Sequence, residues 1–488
     1  MKHTLTALIT FLLLIPSSFA QQGEASLASG SIATPRTINP AANSTNPSAS
    51  AGQKQNPFLG SVPTGVATSG VMDLSLGEAI DRGLRANLGV IENQASVRQA
   101  GAQRLRALAA MLPNVSALVR QNVDQLSRVA IGLKVPGLPL STGQFSYQES
   151  YLSFSDSGLN LDSLLRLRSA QRSSEAARLS LEDARDVIVL AVGTAYLQVE
   201  ASAARLHTFE AQLQVARTLE DQTANQVRSG LSPEIDQFRA TVQRQTNEQR
   251  VTVAQANVDK DKLTLARLIG LPSGQQFRIT TAAPYVAWNG PGLEALLQQA
   301  RQNRADIKSA QAAAEASGLS RKAAQAERLP GLSLNGYYGR VGSTLSQSDH
   351  TYTVAATVSL PIFTGGRIRA DIQDASAQRD ARQAEYLDLL GRVDYEVRNG
   401  MIDLQAADSA VQVADKNSQL AQKALEQARD RFINGVTNNL EVVQAQQEVA
   451  AANENYISSL FAHNLAKLAL LRALGTAQKD VTHYLGGN

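Results

Sequence analysis

The sequence predicts a mainly α fold carrying a small amount of membrane β: an internally duplicated wall of long supercoiled helices, with four strands per chain contributing to a trimeric twelve-stranded β-barrel. Three observations predict it. The same order of elements is written twice, in residues 74–270 and 293–475. Two very long helical segments keep an unbroken 3-4 spacing of apolar and small residues, the mark of supercoiled packing. Between the helices, short segments alternate residue by residue, with the length a tilted membrane strand needs.

Composition sets the boundaries. Hydrophobic residues make up 43% of the 488 and charged residues 18%, enough apolar surface to bury a core; aromatics are only 5%, which favours close-packed helices over a thick aromatic interior. The formal net charge of +3 comes without a basic block, so nucleic acid is not an expected partner. There is no cysteine, which excludes disulfides, cysteine-ligated metals, thiol nucleophiles and a lipid-bearing N-terminal cysteine.

Residues 1–20 read as a signal peptide: Lys2 and His3, an apolar run from Leu5 to Ile15, the breaker Pro16, then Ser18-Phe19-Ala20. The run is shorter than the roughly 20 residues of a membrane helix, and no other stretch is expected to span one. Residues 21–73, rich in Ser, Ala, Pro and Thr, are expected to form a flexible leader, with ordered structure beginning at Leu74.

The repeat is visible by sliding the sequence along itself. Leu197 falls on Ile402, Ala216 on Ala421, Gly230 on Gly435, Asp236 on Glu441, and Arg267-Leu268-Ile269-Gly270 on Arg472-Ala473-Leu474-Gly475. Each copy begins with a helix, from Leu76 toward Met111 and from Leu293 toward Arg328, stopping at Pro113 or Pro330. Two strands follow. A long helix then runs from about Leu161 to Ser229, or from about Gly366 to Asn434, and a glycine-containing turn reverses the chain into a returning helix. Residues 271–292 connect the copies, with Trp288 as a packing residue, and 476–488 form a C-terminal tail.

In the first long helix the seam runs through Val187, Leu190, Thr194, Leu197, Ala201, Ala204, Thr208, Ala211, Val215 and Thr218. A second seam, through Leu181, Ala184, Ile188, Ala191 and Ala195, lies one position over. Val442, Ala445, Val449, Ala452, Tyr456, Ser459, His463, Ala466, Leu470 and Ala473 form the seam of the last helix. Two seams on one helix require a neighbour on each side, and ~70 residues at 1.5 Å rise give a length of roughly 100 Å.

Tyr352, Val354, Ala356, Val358 and Leu360 alternate with Thr353, Ala355, Thr357 and Ser359, one apolar face and one small polar face. Leu332, Leu334 and Tyr337 mark its partner strand; Val115, Ala117 and Val119, then Phe145, Tyr147 and Tyr151, mark the pair in the first copy. The alternation also fits a soluble hairpin capping a helical bundle. Four strands cannot close a membrane barrel, and open edges in hydrocarbon leave backbone groups unpaired. Spanning strands therefore require an oligomer, and a continuous helical wall points to three copies around a water-filled lumen.

These residues resemble the TolC-type outer-membrane efflux factors, across essentially all of residues 74–475. Leu360-Pro361-Ile362-Phe363-Thr364-Gly365-Gly366 is similar to the family's Pro-Leu-Phe-x-Gly-Gly signature at the strand-to-helix junction, with Pro361, Phe363, Gly365 and Gly366 in the matching positions. Thr194-Ala195-Tyr196-Leu197 and the two turns are further matches. Ser157-Gly158-Leu159-Asn160-Leu161 departs, lacking the proline and the paired glycines. The resemblance implies a homotrimeric conduit in the outer membrane, surrounded by its lipid and continued by a periplasmic helical tunnel. A periplasmic adaptor would join it to an inner-membrane pump, as part of a tripartite efflux or type I secretion system. It implies passive conduction, no catalysis and no cofactor.

For the site, the resemblance implies a periplasmic gate near Asp236, Glu441, Gln444 and Thr437. Three copies of Glu441 would concentrate negative potential in a narrow aperture, although Gln444 and Thr437 depart from the family's acidic and basic positions. The turn residues Arg228, Gly230, Leu231, Phe432, Gly435 and Val436 are candidates for adaptor docking, because exposed turns carry recognition. His207, His350, His463 and His483 are scattered without ligand spacing, and no metal site is expected. The alternative is a periplasmic coiled-coil adaptor or structural protein with no pore. Duplication argues against the first, and strands of membrane length against the second.

Overall fold

A computed structural model of the chain describes residues 56–485, apart from 131, 133, 134, 157–159, 231, 345, 435 and 438. The expected signal segment, leader residues 21–55, and the candidate docking residues Leu231 and Gly435 lie outside the described residues. Order begins before Leu74. A 3-10 turn at Pro57–Leu59 puts the Phe58 ring against Gly89, where a Cβ would lie 2.4 Å from it. Strand β1 (Met72–Leu74) pairs in parallel with β4 (Phe277–Ile279). Low charge made 56–73 look featureless, but its backbone bonds to both ends of the first repeat: Val62 N–H to Ala86 and Thr64 N–H to Gly270.

Each expected first helix is two. α1 (Leu76–Ala86) and α2 (Leu88–Ala109) break at Asn87, while α5 (Leu293–Asn303) and α6 (Ala305–Ala326) break at Arg304. Asn87 is extended, and its side chain accepts from the Gly89 N–H, so it ends one helix and caps the next. Arg304 breaks the second copy at the equivalent place. Its guanidinium is buried against Asp306 and Glu396 and donates to the Ala473 carbonyl.

The strands are β2 (Asn114–Asp124), β3 (Phe145–Asp156), β5 (Gly331–Gly342) and β6 (Ser348–Ser359). The helices that follow are α3 (Leu161–Arg228), α4 (Glu234–Leu268), α7 (Arg367–Ile433) and α8 (Asn439–Ala473), with α9 (Ala477–Tyr484) closing the chain. Neighbour relations repeat at three levels. The strands lie in the order β2-β3-β5-β6, all antiparallel. Next come helices in the order α2-α3-α6-α7, then α4-α3-α8-α7. Only α3 and α7 run through both helical levels; α4 and α8 take over where α2 and α6 leave off.

Register defines two sheet faces. Val115, Ala117, Val119 and Val123 share one with Leu152 and Phe154, with Leu332, Leu334 and Tyr338, and with Tyr352, Val354, Ala356 and Val358. The other face carries Ser116, Arg120, Glu149, Ser153, Asn335, Thr353 and Thr357. Tyr337, expected beside Leu334, lies on this second face by parity and packs on Tyr151 at a centroid distance of 5.1 Å; Tyr338 takes the apolar position. Phe145, Tyr147 and Tyr151 share the polar face as well. β2 and β6 have no pairing partner on their outer edges among the described residues.

The α8 seam is buried at Val442, Ala445, Val449, His463, Leu470 and Ala473. The α3 seam shifts along its length: from Leu213 onward the buried line is Leu213, Ala216, Leu219 and Thr223, whereas Ala211 and Thr218 are exposed. The straight count drifts because the neighbours of α3 change between its two halves. α3 also contains a window of mean hydropathy 1.5, apolar enough to cross a membrane by length and composition. Ile188, Val189, Val192, Tyr196 and Leu197 of this helix instead pack into a core with α1, α9 and the connector.

Candidate functional site

At the strand-to-helix junction, Gly365 and Gly366 take φ of 62° and 89°. Two successive left-handed residues turn the chain from β6 into α7, and only glycine does so without strain. Pro361, Ile362 and Phe363 are held out by this turn, Phe363 being 89% exposed. In the first copy Asn160 does the work instead: its Oδ1 accepts from the Leu332 N–H at 2.7 Å.

The tips lie at the α3–α4 and α7–α8 turns. Gly230 is left-handed at φ 72° and closes on Val227, and exposed Arg228 donates to Asn225 at 2.9 Å. Val436 is exposed. Phe432 is not: at 8% exposure it is core, packed with Leu219, Leu425, Ala428, Val442, Ala445 and Val449. Its place one residue before the helix end suggested a tip residue, but its side chain points back along the helix. Ile433, Leu440, Ile235 and Phe238 are further exposed apolar residues at these turns, outside the motifs.

The gate candidates divide into two groups. Thr437 Oγ1 donates to one oxygen of Glu441, and Arg431 Nη1 meets the other at 3.1 Å. Arg431, at the end of the preceding helix, is thus a basic partner that the sequence comparison sought at position 437. Glu441 is therefore already paired within its own subunit. Asp236 is buried in the first turn of α4, with Arg239 at 3.5 Å. Gln444 is exposed and joins neither group.

Between the repeats, the connector is tied down by buried polar side chains. Tyr196 Oη donates to the Leu74 or Thr281 carbonyl and accepts the Thr281 N–H, while Asn464 Nδ2 donates to Ala283 at 2.8 Å. Lys467, 1% exposed, donates to the carbonyls of Val286 and Tyr484. Burial lowers its ammonium to about 8. His463, fully buried beside it, is lowered first by burial and then by Lys467, with Asp408 opposing from 3.6 Å. Trp288 stacks on Tyr484 at 4.9 Å, the packing role expected of it. No group of three or more potential metal ligands occurs among the described residues.

Four strands, two from each repeat, feed helices that lie four across, a fold similar to that of solved outer-membrane channels. The chain superposes on the outer-membrane channel OprN with a TM-score of 0.72 at 21% identity, covering 83% of this chain and 90% of that one. For the Campylobacter jejuni CmeC outer membrane channel the TM-score is 0.73 at 17% identity, covering 93% and 98%. The sequence pattern of the outer membrane efflux protein family matches residues 296–476. The chain is 26% identical over 393 residues to the pyoverdine export outer membrane protein OpmQ of Pseudomonas putida, covering 78% of this chain and 81% of that protein. Identity to the probable efflux pump outer membrane protein TtgC of the same species is 25% over 362 residues, covering 70% and 72%. The second repeat carries the outer membrane efflux protein pattern, and the chain is similar over most of its length to outer-membrane efflux proteins, which makes it an outer-membrane efflux channel protein.

Proposed function

We propose that three copies join edge to edge into a conduit: a twelve-stranded barrel in the outer membrane, continued by a periplasmic tunnel of helices. One observation carries this reading. The sheet has an exposed apolar face of membrane length, with Val354 at 71% exposure, yet among the described residues both its outer edges are unpaired. Hydrocarbon does not tolerate unpaired edges, so β2 and β6 need partners, and sister subunits have complementary ones. The helical edges support the same closure. Phe238, Val242, Val253 and Leu263 on α4, and Tyr395, Ile402, Val413 and Leu420 on α7, are exposed apolar residues on the two lateral helices. Phe363 and Ile362 then sit at the periplasmic interface of the bilayer, where aromatic residues collect.

The N-terminal segment 1–20 directs export and is removed, and no lipid anchors the chain. The tips at Arg228, Gly230, Leu231, Gly435 and Val436 receive a periplasmic adaptor linked to an inner-membrane pump, which supplies the energy. Phe432 braces the tip from within. Thr437, Glu441 and Arg431 hold the α7–α8 turn closed, with Asp236 and Gln444 beside the aperture. The channel performs no bond chemistry. Purified protein reconstituted in a planar bilayer tests the reading: it should conduct in steps expected of one trimer, with conductance raised by Arg431→Ala. Extraction from outer membranes by carbonate, or a bilayer that stays silent with both proteins, refutes it.

A further inference from the structure

Above the apolar tip core lies a cavity of about 300 Å³ lined by all four helices α3, α4, α7 and α8. Its chemistry differs from that of the core below. Asn247 is 3% exposed with Oδ1 unpartnered, and Gln446 is 9% exposed with neither amide atom bonded; Gln212 Nε2 is also unpartnered. All three side chains line the cavity. Buried polar atoms are paired in nearly every native structure, so these side chains call for a partner within the cavity. Arg250, Arg429 and His207 also line it, while no carboxylate does. Arg244 on α4 and Arg431 on α7 are ion-paired to glutamates, but among the described residues no ion pair or hydrogen bond joins Arg250 or Arg429 to a partner.

We propose that this cavity is a binding site for a small hydroxycarboxylate. Two guanidiniums, from α4 and α7, supply the forked donors that match a carboxylate. The amides decide between anion classes. Gln446 presents both a free donor and a free acceptor, whichever way its amide is turned, so the ligand must donate as well as accept. A hydroxyl beside a carboxylate does both, whereas a sulfate only accepts; hydrogen phosphate, which keeps an O–H, is told apart by direct competition. The volume admits one ligand of about a dozen heavy atoms, or several waters. Because α4 and α7 belong to different repeats, occupancy would tie the two hairpins together just above the gate.

The proposal stands independently of the channel reading, since binding is measured on the purified chain in detergent. Citrate is the probe, with sodium sulfate at equal ionic strength as control, read by thermal unfolding and by titration calorimetry. The midpoint should rise with the logarithm of citrate concentration, as for a ligand bound only by the folded state. Arg250→Gln/Arg429→Gln should weaken citrate at least about tenfold, from loss of charge-assisted bonds. Gln446→Leu, which removes only unpartnered amide atoms, should keep the fold and weaken citrate as well. No citrate effect beyond sulfate would mean that the cavity holds water alone, and an equal effect in the double variant would place the ion elsewhere; either overturns the assignment. Binding of inorganic phosphate in preference to citrate would overturn the hydroxycarboxylate class.

Discussion

Replacing Lys467 by methionine separates two effects that nearly cancel at neutral pH. The buried ammonium is lowered from 10.5 to about 8, which at roughly 1.36 kcal/mol per tenfold change in proton affinity is about 3 kcal/mol against carrying the charge in the folded state. Methionine removes that cost. It also leaves the Val286 and Tyr484 carbonyls without their donor, at about 1–3 kcal/mol for each buried group that stays unpaired. Near pH 7 the variant should therefore unfold close to wild type. Between about pH 8 and 10.5 the unfolded lysine binds a proton that the folded one has lost, so wild-type stability rises with pH relative to the variant. The gain is up to about 3 kcal/mol per subunit. Tyrosine ionisation affects both proteins alike and drops out of the difference. Thermal unfolding in detergent, followed by circular dichroism from pH 7 to 10, measures it. Parallel pH profiles for the two proteins would refute the account, because they would mean that Lys467 titrates normally. His463 adds an acid arm: its lowered value means that stability falls as pH drops through about 6.5, where the unfolded imidazole protonates first, and His463→Gln should flatten that arm.

Gly366→Ala forces a side chain into a left-handed junction and should destabilise by about 1–2 kcal/mol, read as a lower unfolding midpoint, while Gly366→Asn costs less. Removing Arg431 breaks a half-exposed ion pair worth less than about 1 kcal/mol, so Arg431→Ala alone should raise channel opening in bilayers no more than about fivefold. Adding Thr437→Ala should raise it further. Val354→Arg places a charge on the apolar sheet face at about 2–4 kcal/mol per copy and should block membrane assembly. Thr353→Arg, one residue away on the other face, should insert normally and change conductance; equal behaviour of the two would sink the face assignment.

Much of the fold was legible because its signals are long. A duplicated order of elements survives local ambiguity, and the ends of α3 and α7 fall within a few residues of where caps and glycines place them. Gly365 and Gly366 could be read from the junction signature that they resemble, and their positive φ is the physical reason for that residue type. Other features depend on partners that periodicity does not encode. The breaks at Asn87 and Arg304 interrupt helices whose apolar spacing continues across them; the cause is a cap in one copy and a buried ion cluster in the other. The straight α3 seam fails after Ala201, with Ala204, Ala211 and Thr218 exposed, because the neighbours of α3 change along the helix. Tyr337 was placed one residue off by aromatic character, although parity from Leu332 and Leu334 excludes it. Arg431 is not legible as the partner of Glu441 because the base implied by the resemblance falls at position 437, whereas the contact runs across a turn. Nor does sequence mark Lys467 and His463 as buried, since the connector covering them has no regular pattern.

The lateral edges give the assembly its logic. At the strand level the open edges are β2 and β6; at the helical levels they are α2 with α4 on one side and α7 on the other. β6 leads directly into α7 through the paired glycines, and β2 follows directly from α2, so each edge strand continues the edge helix beside it. The two closures are consequently a single event. Unpaired strand edges are forbidden only in lipid, whereas the apolar helical edges lose free energy by exposure to water from the start. In the proposed trimer, association through α4 and α7 would therefore begin before insertion and bring β2 of one subunit beside β6 of the next. The proposed barrel, which no chain could close alone, would then reach the hydrocarbon with its edges already paired.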